Sequence, residues 1–350
     1  DTVLNPDTAK LRSVSTFNYN KDIPPISLGT TISYLDNSGK FSRLNEMANT
    51  SREGEPDVVE ISKLVPTLLP KDLDLFTNSR ENSIILIGKT NSDTVFGYKY
   101  LAIGDKRQQQ AWFKWKLNNP LLYHFIINDE YFFVDTDNFL QSIKLIQSDD
   151  DPTIATASDL NFQIHLDNHT TVSGGGYNAA TNLTTFSNVS WLSNVTSPNY
   201  KLVIIDEGGT PAPTDGQARY AECTVSGTSF TVPGDWQGVT VRIGYLYEYL
   251  IKFPTIYPKK ISGEKSFADV NSSLILHRIK LHFGKIGLYE TTLERLGKDD
   301  YIEVHESAAM DSYNASRVPY LEEDIKTIPV YEKNKNVDIT LKSSHPAPAT

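Results

Sequence analysis

The sequence predicts a mainly β protein, with partial β-propeller blades followed by an antiparallel β-sandwich or platform-like domain. Three observations carry this. Between Lys71 and Leu117, short runs with strand character are separated by turn formers. From Val239 to Phe253 every odd position is apolar or aromatic, which puts one face of an extended chain in a core. Only one short stretch, around Val58, Ile61 and Val65, keeps helical spacing before Pro66 stops it.

In chain order, Asp1 to Asp22 reads as a polar, extended lead-in. Pro24, Pro25 and Gly29 punctuate a strand from Thr30 to Leu35, which turns through Asp36-Asn37-Ser38-Gly39 into a second near Lys40 to Leu44. A charged loop (Arg52 to Glu55) leads into the short helix expected near residues 57–65, with Pro56 near its first position. Strands then follow at Asp72–Phe76, which alternates, and at Ile84–Ile87, apolar throughout as a strand covered on both faces would be. Val95–Ile103 and Ala111–Leu117 complete a set of four. Four antiparallel strands in about 45 residues have the size of one propeller blade, and a meander inside a sandwich has the same pattern. Beyond Pro120, Leu122–Ile127, Tyr131–Asp135 and Phe139–Ile146 read as a further blade, begun or shared.

Asp149-Asp150-Asp151-Pro152 breaks the strand pattern with charge and proline. It divides the chain into a propeller-like meander region, 1–148, and an all-β platform-like domain, 149–350, with Asn-, Thr- and Gly-rich loops. Strand pairs are expected around Thr184–Trp191 and Lys201–Ile205. Leu274–Phe283 alternates, with Ile275, His277 and Ile279 placed on one face and Arg278, Lys280 and His282 on the other; Val337, Ile339 and Leu341 repeat the pattern.

Composition excludes several functions. With 33 basic against 43 acidic residues, a net charge of −10 argues against a sequence-reading nucleic-acid binder, whose footprint is a basic stripe. No apolar run reaches the roughly 18 residues of a membrane-spanning helix. Cys223 stands alone, so neither an internal disulfide nor a cysteine-based zinc site can form. Seven Asn-x-Ser/Thr triplets lie mostly in Asn- and Thr-rich sequence, where chance matches accumulate.

No constellation of residues specifies catalysis. Gly88-Lys89-Thr90 follows a buried strand, but the first glycine of a phosphate loop would fall at Ser83, inside the strand region. Gly174-Gly175-Gly176 lacks the helix and acidic residue of a dinucleotide fold. His165, Asp167 and His169 share one face of a strand and could approach a metal, without a third strong ligand nearby in sequence. The acidic clusters at Asp149-Asp150-Asp151, Asp299-Asp300 and Glu322-Glu323-Asp324 read as solvated turns rather than the paired carboxylates of a glycoside hydrolase. Neither cofactor nor metal is expected. On Ala111–Leu117, Trp112, Lys114 and Lys116 share a face that suits packing against a neighbouring blade or subunit. Tyr245, Tyr247 and Tyr249 form a second candidate interface on their strand.

Several ordered segments resemble a known family: Ile23-Pro24-Pro25-Ile26-Ser27-Leu28-Gly29, Arg52-Glu53-Gly54-Glu55-Pro56, Leu69-Pro70-Lys71-Asp72-Leu73-Asp74, Asn78-Ser79-Arg80-Glu81-Asn82-Ser83 and Gln110-Ala111-Trp112-Phe113-Lys114-Trp115. They are similar to the tail tubular protein B, or nozzle, family of T7-like short-tailed phages, most densely from Asn18 to Leu145 and again near Arg317-Val318-Pro319 and from Thr327 to Pro348. The resemblance implies a virion tail component that is not an enzyme and forms a hexameric ring. That ring would contact the tail adaptor protein, tail fibre protein and host outer surface, and conduct genomic DNA during ejection. Members are longer, so this chain is expected to be a piece of a larger protein. An acidic lumen would suit a conduit, since it would avoid tight phosphate contacts. The alternative is a tail-associated carbohydrate-binding or glycan-cleaving domain.

Overall fold

The computed structural model describes residues 23–28, 31–37, 39–49, 56–103, 106–145, 153–154, 162–163, 166–194, 201–206, 219–262, 265–284, 286–306 and 323–346. The expected lead-in and the Asp149-Asp150-Asp151-Pro152 boundary lie outside the described residues. The chain divides into two compact units, Asp1–Asp149 and Asp150–Thr350. It is mainly β: among the described residues the only helical turns are two short 3-10 segments, Ile61–Leu64 and Ser190–Asn194.

The first unit opens with a four-stranded antiparallel sheet in chain order: β1 (Ile26–Leu28), β2 (Thr31–Asp36), β3 (Arg43–Asn49) and β4 (Pro56–Glu60). The helix expected at 57–65 is largely replaced by β4. Val58 pairs with Met47 and Val59 with Glu46, because β-branched residues fit a pleat and a proline is tolerated as the first residue of an edge strand. Only Ile61–Leu64 turns.

A six-stranded antiparallel sheet follows, again in chain order: β5 (Leu75–Ser79), β6 (Ile84–Gly88), β7 (Ser92–Ile103), β8 (Lys106–Ile127), β9 (Glu130–Asp135) and β10 (Leu140–Lys144). The sequence suggested a break at Pro120. Instead β8 runs 22 residues straight through it, pairing β7 over its first part and β9 over its second. Register shifts at Ser92/Thr94 and Leu121/Tyr123 flank the proline. A prolyl residue lacks an N–H for the ladder, and the bulges beside it bend the strand. The sheet curls into a half-barrel.

Both faces of this sheet are covered in its middle, and β6 is buried at all five positions, as its unbroken apolar run requires. One face sets Ile85, Ile87, Phe96 and Tyr98 against Leu28, Leu35 and Leu44 of the first sheet. On the other, Leu86, Val95, Leu117, Leu121, Tyr131 and Phe133 fill the inside of the curl. Each such side chain contributes roughly 1.5–3 kcal/mol on burial. Gly97 pairs with Phe113 across β7 and β8, and a Cβ there would stand 2.1 Å from the Phe113 ring. The glycine is therefore where an aromatic ring lies down on backbone. Between the sheets, Glu46 and Arg107 form a largely buried ion pair, while the guanidinium lies 4.0 Å over the Tyr100 ring and donates to the Tyr98 hydroxyl at 3.3 Å. Asp135 ends β9 fully buried. Its carboxylate accepts from the backbone N–H groups of Asp137 and Phe139, from the Gln141 amide and from the Asn119 amide, which fixes the turn into β10.

The second unit begins with a short pair, β11 (Thr153–Ile154) and β12 (Phe162–Gln163). Next come β13 (Asp167–Val172), β14 (Gly176–Asn178), β15 (Leu183–Phe186) and β16 (Leu202–Asp206). They are followed by β17 (Tyr220–Glu222), β18 (Thr224–Ser226), β19 (Ser229–Pro233) and β20 (Val241–Tyr245). These eight strands make two sheets, ordered β13-β20-β16-β17 and β14-β15-β19-β18. Ile204, Val241, Ile243 and Tyr245 of the first meet Phe186, Phe230 and Val232 of the second in one core, with the two phenylalanine rings stacked at 4.8 Å. This is a β-sandwich. Trp236 is buried in the same core, with its indole N–H on the Pro233 carbonyl at 2.8 Å.

The remaining strands are β21 (Tyr249–Lys252), β22 (Lys259–Ser262), β23 (Lys265–Ala268) and β24 (Ile275–Phe283), then β25 (Leu288–Arg295), β26 (Tyr301–Glu306), β27 (Asp324–Lys333) and β28 (Val337–Ser343). They form a sheet ordered β21-β28-β25-β26 and the pairs β22-β23 and β24-β27. Leu276, Ile328 and Val330 of β24-β27 pack on Leu293, Val337 and Ile339 of the larger sheet.

Two strand expectations are corrected here. Val239–Phe253 is not one strand: the ladder stops between Tyr245 and Tyr249, because β20 lies between β13 and β16 in the sandwich while β21 leaves to pair with β28. Continuous alternation cannot show that a chain changes partners. The face assignment at the start of β24 also changes. A register shift between Leu276 and Arg278, where β27 carries one residue more than β24, breaks the alternation of β24, so Leu276 faces inward and Ile275 and His277 face outward.

Candidate functional surfaces

The residues that most resembled chemistry have structural surroundings. Gly88 ends β6, and Lys89 begins a tight turn closed by the Ser92 N–H on the Lys89 carbonyl at 3.0 Å. Asn91 takes the left-handed conformation of that turn, φ 64°, so no run of free backbone N–H groups faces a phosphate. At the glycine run, Gly175 lies against the Phe186 ring, 2.7 Å from where a Cβ would sit; close packing explains it. His165 lies outside the described residues. His169 is exposed on β13, beside a register shift between Asp167 and Thr170. Among the described residues, no group of three His, Cys, Asp or Glu is placed to hold a metal ion. Asp299 and Asp300 are exposed just after Gly297, whose φ is 76°. Burial pushes the Cys223 thiol up to about 12, which keeps it protonated and poorly nucleophilic.

Two buried histidines are packing groups. His124 lies inside the curl, with Nδ1 at 3.1 Å from the Tyr131 hydroxyl and Nε2 unpaired; burial holds its pKa at about 4. His305 lies tilted against the Tyr289 ring at 4.7 Å with Glu303 3.5 Å from its Nδ1. Burial lowers its pKa despite that carboxylate.

The interface candidates separate. Trp112 faces the core between the two sheets of the first unit, 5.0 Å from the Tyr98 ring. On the same strand face Lys114 and Lys116 are exposed, Lys116 with Asp93 at 3.7 Å. Tyr245 is 2% exposed and belongs to the sandwich core, while Tyr249 is partly exposed on β21, an edge strand. Tyr247 lies between the two strands, half-buried.

A larger surface escaped sequence reasoning. On the outer face of β8-β9-β10, Tyr123, Val134 and Leu140 stand in one cross-strand row, and Phe125 and Phe132 in the next. Tyr123 is 58% and Leu140 63% exposed, and the rings of Phe125 and Phe132 stack at 5.3 Å. Ile127 extends the patch, 54% exposed. The signal was in the sequence: Tyr123, Phe125 and Ile127 alternate with His124 and Ile126, so both faces of the strand are apolar. Contiguous exposed apolar surface of this kind marks an interaction site.

Curled and layered antiparallel sheets, one of them with an exposed apolar face, define an all-β protein. The chain belongs to the bacteriophage nozzle protein family, whose model matches residues 1–350. It is thus a structural component of the virion tail. No curated protein matches the chain. Among solved structures it is similar to the WD40 β-propeller domain of Doa1, at 11% identity and TM-score 0.24, over 58% of this chain and 66% of that one. It is also similar to an exo-β-1,3-galactanase from Phanerochaete chrysosporium, at 9% identity and TM-score 0.21, over 93% of this chain and 65% of that one. The chain therefore spans slightly under two thirds of the length of each, and likeness at these TM-scores supports no argument about fold or function.

Proposed function

We propose that this chain forms part of the wall of a tail nozzle. Copies assemble into a hexameric ring that seats against the tail adaptor protein, carries tail fibre protein, meets the host outer surface and conducts the genome during ejection. Family membership gives the tail role, and the observation that carries assembly is the exposed apolar face of β8-β9-β10. The partners here are copies of the chain. Within this reading, β1–β4 and β5–β10, both antiparallel meanders in chain order, are the propeller-like part, and Lys114, Lys116, Tyr247 and Tyr249 are secondary contacts. A tail-associated carbohydrate-binding or glycan-cleaving domain is the second reading; of the acidic residues it would draw on, Asp299 and Asp300 are exposed just after a turn.

The test is the mass of the purified chain by light scattering, alone and with the adaptor ring, for the wild type and for Tyr123→Glu/Leu140→Lys. Both substitutions are at exposed positions, so the fold should survive. The reading requires assembly by the wild type and a monomer for the variant. A wild type that stays monomeric with the adaptor present, or a variant that assembles equally well, overturns it.

A further inference from the structure

The outward face of the β24-β27 pair is basic on a protein of net charge −10. Arg278, Lys280 and His282 alternate along β24, all exposed, so successive cations stand roughly 6.7 Å apart, two strand residues. Their cross-strand partners, Pro329, Thr327 and Ile325, carry no charge. At the other end, at and beyond the register shift, His277 and Lys333 are also exposed, the imidazole edge-on to the Tyr331 ring at 5.9 Å. The acids of the two strands are turned away or at an end: Glu332 pairs with Lys298 at 2.6 Å, and Asp324 sits opposite Phe283 at the far terminus. Among the described residues, Arg278, Lys280 and Lys333 form no ion pair.

We propose that this face is a contact track for the phosphate backbone of double-stranded nucleic acid. Three permanent cations in a shallow line, uninterrupted by carboxylates, complement a line of phosphates. The strip reads no sequence, because the two-stranded ribbon that carries it is backed by the larger sheet rather than free to enter a groove, and it offers few donors to base edges. An acidic polysaccharide is the poorer fit. Its sugar hydroxyls need polar partners, and of the three residues opposite the basic row only Thr327 supplies one. The proposal rests on the conduit reading for its biological setting: an acidic protein with a sparse basic track guides a passing duplex without holding it.

Binding of a fluorescent random-sequence duplex to the full 350-residue chain tests the track, titrated at several salt concentrations. Three phosphate contacts give a slope of log K against log salt of about −2.7. Arg278→Gln/Lys280→Gln should flatten the slope to about −0.9 and cost on the order of a hundredfold in affinity at about 50 mM salt. Lys259→Gln/Lys260→Gln, exposed on β22, should leave both unchanged. The track is refuted if the wild type fails to bind duplex at low salt, if the first variant binds like the wild type, or if a sulfated polysaccharide binds through Arg278 and Lys280 while duplex does not. Each outcome is read on the chain in solution, so failure here is separate from failure of ring assembly, which light scattering reports.

Discussion

His124 occupies a place where an apolar residue would serve the core, and the protein holds it neutral. Its ring is shut inside the curl of the six-stranded sheet against Tyr131, and burial lowers its pKa to about 4 from an unfolded value near 6.5. Between those values the unfolded chain binds more protons than the folded one, so stability rises with pH. The contribution is complete above about pH 6.5 and is lost as pH falls towards 4, on the order of 3 kcal/mol in all. Urea unfolding of the wild type should therefore show a pH slope over that window that His124→Gln lacks, whatever the variant costs at neutral pH. Parallel slopes for the two would show that the imidazole is not desolvated. Hydrophobic pattern carries no sign of this burial. His124 sits in a strand whose two faces are both apolar, and only the curl decides which face is inside. The opposite holds for Gly88-Lys89-Thr90, where the identity of one residue, Ser83, is enough to exclude a phosphate loop.

At the scale of elements, the β24-β27 pair shows how one residue sets a face. Leu276, Ile279, Leu281 and Phe283 all reach the core across a bulge in which β27 takes three steps, from Glu332 to Pro329, against two on β24, and Tyr331 there has φ 48°. Deleting Tyr331 should slip one end of β27 by a residue and turn Glu332 outward and Lys333 inward, since a one-residue slip exchanges the faces of a strand. The deletion should cost several kcal/mol by denaturant unfolding, whereas Tyr331→Asn, which keeps the count at an exposed position, should cost under about 1 kcal/mol. Equal effects would mean that the register tolerates the missing residue. Alternation placed the inward residues from Ile279 onward correctly and misplaced Ile275 and His277, because a bulge leaves no mark in hydrophobic periodicity. Likewise the unbroken apolar run of β6 announced a strand covered on both faces, while Pro120 disguised β8 as two strands. Proline ends a helix reliably, but beside a bulge it needs no ladder partner. The apolar face of β8-β9-β10 was legible residue by residue and not as a surface, since its rows come from cross-strand register.

Over the whole molecule, membership of the nozzle family covers the full 350 residues, and the two units differ in how far apart in the chain their paired strands lie. In the first unit every strand hydrogen-bonds to a neighbour in sequence, from β1 to β4 and from β5 to β10. In the second, β13 pairs with β20, β24 with β27 and β21 with β28, so the last strand, Val337–Ser343, completes a sheet opened at Tyr249. Nearby partners close short loops at small entropic cost and form quickly; distant ones wait. As the chain leaves the ribosome, the first unit can finish its sheets while the second still carries an unpaired β21 for roughly 90 residues, about 5–20 seconds at ordinary synthesis rates. Pulse-labelled hydrogen exchange during refolding should protect the amides of β6 and β7 before those of β21 and β25. Simultaneous protection would show that the units fold as one. The order of synthesis thus leaves the late-closing half as the stretch most exposed to mispairing with another nascent copy.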